Sequence, residues 1–179
     1  MRIISGNHRG KRIIAPATLP VRPTTDMAKE SLFNILNNYF YFDQLSVLDL
    51  CAGTGNISYE FAARGAASVV AVDINSQCVQ FIQKTAQSLG FDSIQVVKSD
   101  ILAFLERCGQ QFNVIFADPP YQWDQYNRIP EYVFDRNLLL PDGFLVIEHP
   151  KEVNFESFPK FFRQRVYGRV NFSLFAENI

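Results

Sequence analysis

The sequence predicts an α/β fold on a mostly parallel sheet, with an antiparallel hairpin at one edge and a small β-hairpin and helix in front. Five short runs rich in valine and isoleucine carry the prediction: SVLDLC (46–51), SVVAVD (68–73), IQVVK (94–98), FNVIFA (112–117) and FLVIE (144–148). Each is bounded by Gly, Pro, Asp or Asn and reads as a buried strand. Between them lie stretches of helical period: Val79, Ile82, Ala86 and Leu89 closed by Gly90, and Ile101, Leu102, Leu105 and Cys108 closed by Gly109. Strands alternating with helices of this length require right-handed crossovers and a parallel sheet covered on both faces. The closing stretch, FFRQRVYGRVNFSLF, has two strand-like runs about Gly168, which predicts the antiparallel edge hairpin.

The first 45 residues depart from this rhythm. RIISGNHRGKRII is two β-like runs around SGNHRG, a small hairpin. RPTTDMAKESLFNILNNYF reads as a helix capped by Thr24, Thr25 or Asp26, with Leu32, Ile35, Leu36, Tyr39 and Phe40 on one face. One domain is expected over 1–179, an N-terminal appendage (1–45) on a core (46–179), because a chain of this length buries a core without staples.

The chain is 47% hydrophobic and 20% charged, as a soluble globular protein is. No apolar run approaches the roughly 20 residues that span a membrane, and MRIISGNHRG lacks a signal peptide's apolar region, so a cytoplasmic protein is expected. A monomer is expected as well. Cys51, Cys78 and Cys108 are widely spaced and read as reduced core residues, and neither His8 nor His149 has neighbours for a triad or a metal site. The net charge of −1 conceals an asymmetry: Arg2, Arg9, Lys11, Arg12, Arg22 and Lys29 face only Asp26 and Glu30 within the first 30 residues. A basic arm on a mildly acidic body points to a polyanion met at one end, or to a solvated hairpin.

Ligands of such sheets bind beyond the carboxyl ends of the strands. There the first strand runs into DLCAGTGNIS, whose Gly53 and Gly55 permit a tight turn before a helix with exposed amides. Asp73 closes the second strand, where an acid can accept both ribose hydroxyls, and Asp100 with Ile101 closes the third, where an adenine would lie. Each has a plain alternative, the glycines as a turn and Asp73 and Asp100 as helix caps. A pyrophosphate would not welcome Asp49 within the motif, whereas a cofactor with an amino group and a sulfonium would, which is S-adenosylmethionine (SAM). The candidate cofactor-binding residues are Asp49, Cys51, Gly53, Gly55, Asn56, Asp73, Ile74, Asp100 and Ile101.

The fourth strand delivers Asp118-Pro119-Pro120-Tyr121 to the same edge. A nucleobase amine is a poor nucleophile because its lone pair is conjugated into the ring. The Asp118 carboxylate and the Pro119 carbonyl supply two acceptors that hold its N–H bonds and turn the lone pair outward. Proline stiffens the turn and keeps the residue before it extended. Tyr121 offers a face for an unstacked base, worth about 1–3 kcal/mol. Asp118 is expected to be ionised, with an ordinary pKa of about 3.9.

These motifs resemble the class I SAM-dependent methyltransferases, and more closely the bacterial RsmD-type family, which methylates the N2 amine of a guanine in 16S ribosomal RNA. RIISGNHRGKRI, RPTTDMAKESLFNIL, VLDLCAGTGNISYEFAARGA, DPPY and RVYGRVNFSLF carry the likeness, nearly the whole chain. Cys51 stands where the family usually has Phe, Ser58 where it has Gly and Lys29 where it has Arg. The resemblance implies a Rossmann-like sheet, SAM as cofactor, and ribosomal RNA, alone or in a small-subunit particle, as partner. With no room for a separate recognition domain, RNA contacts are expected on the N-terminal segment, at Arg2, Arg9, Lys11, Arg12, Arg22, Thr24 and Lys29. The alternatives are an N6-adenine methyltransferase, a non-catalytic RNA-binding module and an NAD-dependent oxidoreductase. The first usually carries a recognition domain for which this chain has no room, and the last lacks the third glycine, Ser58 standing in its place.

Overall fold

The computed structural model describes residues 1–21 and 24–177. Among these, seven strands form one sheet in the order β3-β2-β1-β4-β5-β7-β6. β1 (Ser46–Leu50), β2 (Ser68–Asp73), β3 (Ile94–Lys98), β4 (Phe112–Ala117) and β5 (Leu139–His149) run parallel, while β6 (Phe161–Tyr167) and β7 (Val170–Ala176) are antiparallel. β7 lies between β5 and β6, so the hairpin enters the sheet through its second strand.

Alternation along the strands divides the core by face. Val47, Val69, Val114, Phe116 and Val146 face α1 (Asp26–Leu36) and α2 (Asn56–Ala63) in one cluster. Leu48, Val70, Ile115, Leu145 and Ile147 face α4 (Ile101–Arg107) and α5 (Arg128–Asp135) in another. α3 (Ser76–Leu89) buries Ile82 and Ala86 against Tyr59, Ala62 and the N-terminal Ile3 and Ile13.

Three elements differ from the sequence reading. α5 was not foreseen because Pro130 interrupts RIPEYVFD; it occupies the first turn, where its missing N–H has no helical acceptor to lose. β5 begins five residues earlier than expected, at Leu139, since Leu140-Pro141-Asp142-Gly143 forms a bulge within the strand and not its boundary. α1 stops at Leu36, capped by Thr25, so Tyr39 and Phe40 pack from the following turn, Tyr39 against Phe144 at 4.8 Å.

A buried carboxylate is the centre of the appendage's attachment to α2. Glu60 accepts the amides of Ile4 (2.9 Å) and Ser5 (3.0 Å), and pairs with Lys29 of α1 (3.3 Å) and Arg64 (2.9 Å). The hairpin is a single bridge, Arg2 opposite Arg12, flanked by Ile3–Lys11 and Ile13–Met1 hydrogen bonds. At its tip the Asn7 amide donates to the Ala63 carbonyl (2.7 Å). Gly6, at φ +70°, lies so close to that carbonyl that any Cβ there would overlap it.

Gly6→Ala is therefore expected to cost about 1–3 kcal/mol in urea denaturation and to expose residues 1–15 to protease. Gly10→Ala, at φ +84° but in open space, should cost only its backbone penalty of about 1–2 kcal/mol and leave the arm docked.

Candidate functional site

The cofactor loop is a run of left-handed residues. Cys51 (φ +60°), Gly53 (φ +56°) and Gly55 (φ +79°) turn the chain from β1 into α2 within five residues. Gly55, the N-cap, admits no side chain, because a Cβ would lie 2.6 Å from Cζ of the buried Tyr59. Cys51 holds the same conformation without glycine's freedom, a cost characteristic of functional turns. Asp73 stabilises the turn from the next strand: its Oδ2 accepts the Gly53 amide and its Oδ1 the Asn75 amide, both at 2.8 Å.

Acids gather about this loop. Cys51 lies among Asp73, Asp118, Asp49 and Asp100, and burial with their combined charge drives its thiol strongly upward. Asp49 is buried and accepts the Ser58 hydroxyl at 2.5 Å; burial outweighs that bond and lifts its carboxyl to about 7. The serine at the third position of the glycine motif thus serves as a donor to the acid beneath the loop. Asp100 caps α4 through the Leu102 and Ala103 amides, using Oδ1, while Ile101 is buried. Ile74, beside Asp73, is 65% exposed.

Asn56 is corrected as a side-chain cofactor contact. Its Oδ1 accepts from Lys29 Nζ (2.8 Å) and its Nδ2 donates to the Thr24 carbonyl (2.9 Å), so it joins the loop to the appendage.

The tetrad starts where the Asp118 amide donates to the Leu50 carbonyl (3.2 Å), placing it beside the end of β1. The Tyr126 hydroxyl, buried, shares its single proton between the carbonyls of Pro119 (3.2 Å) and Pro120 (3.1 Å) and fixes the turn that carries them. Tyr121 is 45% exposed and its hydroxyl reaches Glu148 Oε1 at 3.4 Å. Burial, then Glu148, then Asp49 raise the Asp118 carboxyl well above the usual range, which corrects the expectation of an ordinary ionised aspartate. Glu148, lifted by burial to about 7, was missed by sequence reasoning. Its signal was present in FLVIE, a strand that ends in an acid at the same edge as Asp49, Asp73 and Asp118.

The basic residues divide. Lys29 is 1% exposed, donates to the Arg2 carbonyl (2.5 Å) and pairs with Glu60; it is corrected from an RNA contact to a buried tie, with a pKa lowered by desolvation. Arg22 lies outside the described residues. Arg9, Lys11 and Arg12 are exposed, and Arg2 meets Asp26 at 3.5 Å across the surface. Thr24 is half-buried, its carbonyl taken by Asn56. The hairpin tip docks at the C-terminal ends of α2 and α3, where His8 Nε2 meets the Leu89 carbonyl at 2.9 Å, so the tip sits a helix length from the tetrad. His149 packs structurally, Nε2 on Ser173 Oγ at 2.8 Å.

Because Asp49 and Glu148 have folded pKa values raised to about 7, they stabilise the fold while protonated and lose that contribution as pH rises through 7. His149, whose pKa is lowered, works the other way below about 6.5. The urea midpoint of the ligand-free protein should fall as pH rises from about 4.5 to about 7 and level off above, with His149 offsetting part of the fall below about 6.5. Asp49→Asn should flatten the fall; an equal slope in the variant would remove Asp49 from the explanation.

Comparison with known proteins agrees with this geometry. The family model described as Conserved hypothetical protein 95 matches residues 1–176. Ribosomal RNA small subunit methyltransferase D of Haemophilus influenzae is 31% identical over 156 residues, 85% of this chain and 80% of that one. Its Escherichia coli namesake is 29% identical over 178 residues, 98% of this chain and 89% of that one. The solved structure of yhhF from Escherichia coli superposes with a TM-score of 0.85 at 28% identity, covering 98% of this chain and 96% of that one. With nearly every residue matched and the glycine loop and DPPY tetrad converging at one sheet edge, the chain belongs to this family, the RsmD-type, SAM-dependent class I methyltransferases.

Proposed function

We propose that the protein methylates the exocyclic N2 amine of a guanine in 16S ribosomal RNA, alone or within a small-subunit particle, as a cytoplasmic monomer. The observation that carries the reading is the convergence of Asp118, the oriented Pro119 carbonyl and the half-exposed Tyr121 on the acid-ringed loop. Loop amides, Asp73, Ile74 and Asp100 would hold the cofactor, which when bound supplies an electrophilic methyl group.

The chain's own residues act chiefly by position and charge. Tyr121 stacks the extruded base. Asp118 and the Pro119 carbonyl accept the two amine hydrogens and aim the nitrogen lone pair at the methyl carbon. Asp118, favoured in its ionised form by N–H donors and adjacent positive charge, steadies the charge that grows on nitrogen. The methylated nitrogen is strongly acidic and releases its surplus proton without a dedicated base. Recognition falls to the basic arm and to Arg163, Arg165 and Arg169 of the edge hairpin, all exposed, since no separate recognition domain exists among the described residues. That arrangement suits a substrate with its own folded shape.

The direct test is nucleoside analysis of ribosomal RNA from cells with and without the gene; loss of one N2-methylguanosine is expected, and loss of an N6-methyladenosine instead would transfer the assignment to adenine. Asp118→Ala should lower the single-turnover rate roughly 100-fold or more with the fold intact, as loss of an electrostatic contact to the reacting group does. The arm is tested by salt titration. Arg9→Ala/Lys11→Ala/Arg12→Ala should leave SAM affinity unchanged and flatten the plot of log K against log salt by about 0.7–0.9 per lost phosphate contact. Parallel plots of equal affinity would assign docking to Arg163, Arg165 and Arg169.

A further inference from the structure

Glu148 has a position and a bonding state that the tetrad does not explain. β4 and β5 pair in parallel with Ala117 opposite Ile147, so Asp118 and Glu148 are the next residues of neighbouring strands and share one face at the ligand edge. Glu148 is 6% exposed. Its Oε1 accepts only the long 3.4 Å bond from Tyr121, and its buried Oε2 has no partner. Among the described residues no cation pairs with either carboxylate.

Glu60 shows what a structural carboxylate looks like in this protein: equally buried, it takes two amides, a lysine and an arginine. A buried acceptor without donors is costly, and it stays in a fold where a ligand supplies the donor. Two carboxylates on one face of neighbouring strands suit a ligand with two adjacent donors.

We infer that Glu148 is the specificity residue for the target base, its carboxylate accepting the ring N1–H of guanine while Asp118 and the Pro119 carbonyl hold the neighbouring N2 amine. The inference rests on the guanine reading above. Guanine alone among the standard bases that carry an exocyclic amine has a donor beside it; adenine and cytosine have a ring nitrogen acceptor there, which would face a carboxylate lone pair to lone pair. The base displaces the weak Tyr121 hydroxyl bond as that ring moves to stack. The raised pKa values of Asp118 and Glu148 agree, since each acid resists ionising until donors arrive.

The test uses 2-aminopurine, which keeps the 2-amine but has an acceptor at N1. It is placed at the methylated nucleotide, once mapped, in whichever form, RNA or particle, the wild-type protein accepts. Wild type should methylate guanine at least about 100-fold faster than 2-aminopurine, because a buried acceptor is left unpaired by the analogue. Glu148→Gln should lose most of the guanine rate and bring the ratio near one, its amide now able to donate to N1, with SAM affinity unchanged by calorimetry. Equal rates on both bases in wild type would overturn the inference, even if the variant failed to fold. So would a variant that slows both bases in parallel, which would leave Glu148 as a support for Tyr121. The two readings fail separately: a wild-type product other than N2-methylguanosine overturns the guanine assignment and Glu148's role with it, whereas N2-methylguanosine formed with no base discrimination overturns Glu148 alone.

Discussion

The Glu60 carboxylate is the constraint on which the arrangement of this protein turns. It lies at 0% exposure on the helix that follows the cofactor loop, and its four partners come from the first β-like run, from α1 and from its own helix. A buried charge survives only when its hydrogen-bonding capacity is filled, and removing one partner leaves the others desolvated and unpaired. The appendage is therefore built into the same network as the cofactor loop. Lys29 extends it to Asn56, and Asn56 to the Thr24 carbonyl, so the segment that carries the basic residues and the turn that carries the glycines are joined through three side chains. Arg64, paired to Glu60, spreads its guanidinium over the Phe33 ring at 4.5 Å and ties the polar network to the apolar core.

Around the ligand edge the electrostatic logic reverses. Glu60 is satisfied, while Asp49 and Glu148 are buried and Asp118 half-buried, with few donors and, among the described residues, no paired cation, and their carboxyls are displaced upward. One region of the molecule is made rigid by filled hydrogen bonds, and another is held in a state that a positively charged, donor-rich ligand relieves. The fold separates them by placing the first network along α2 and the second at the carboxyl ends of β1, β4 and β5.

Much of this was legible in the sequence. Strand periodicity gave four of the five parallel strands within a residue, since buried strands in doubly covered sheets are continuous apolar runs. The glycine loop and tetrad were legible because their residue types are tied to backbone conformation. What escaped depended on tertiary context. A proline in a helix's first turn and one in a bulge both read as breaks, hiding α5 and the start of β5. Lys29 read as surface charge because its partner lies 31 positions away, and Asn56 read as a ligand contact because nothing local shows that both ends of its amide are occupied. Glu148 read only as the last residue of the strand FLVIE, and its adjacency to Asp118 exists only once β4 and β5 are paired.

The clasp between His8 and Leu89 spans 81 positions, and the Ile4–Glu60 contact spans 56. Synthesis proceeds from the N-terminus, so the arm leaves the ribosome before α2 and the end of α3 and waits for them before it has anything to bind. Its residues Ile3 and Ile13, buried in the finished protein, stay exposed through that interval. Five basic groups on the same short segment keep it solvated and self-repelling until its partners emerge. The arm therefore docks out of step with its place in the sequence, only after residues 60 and 89 have been made.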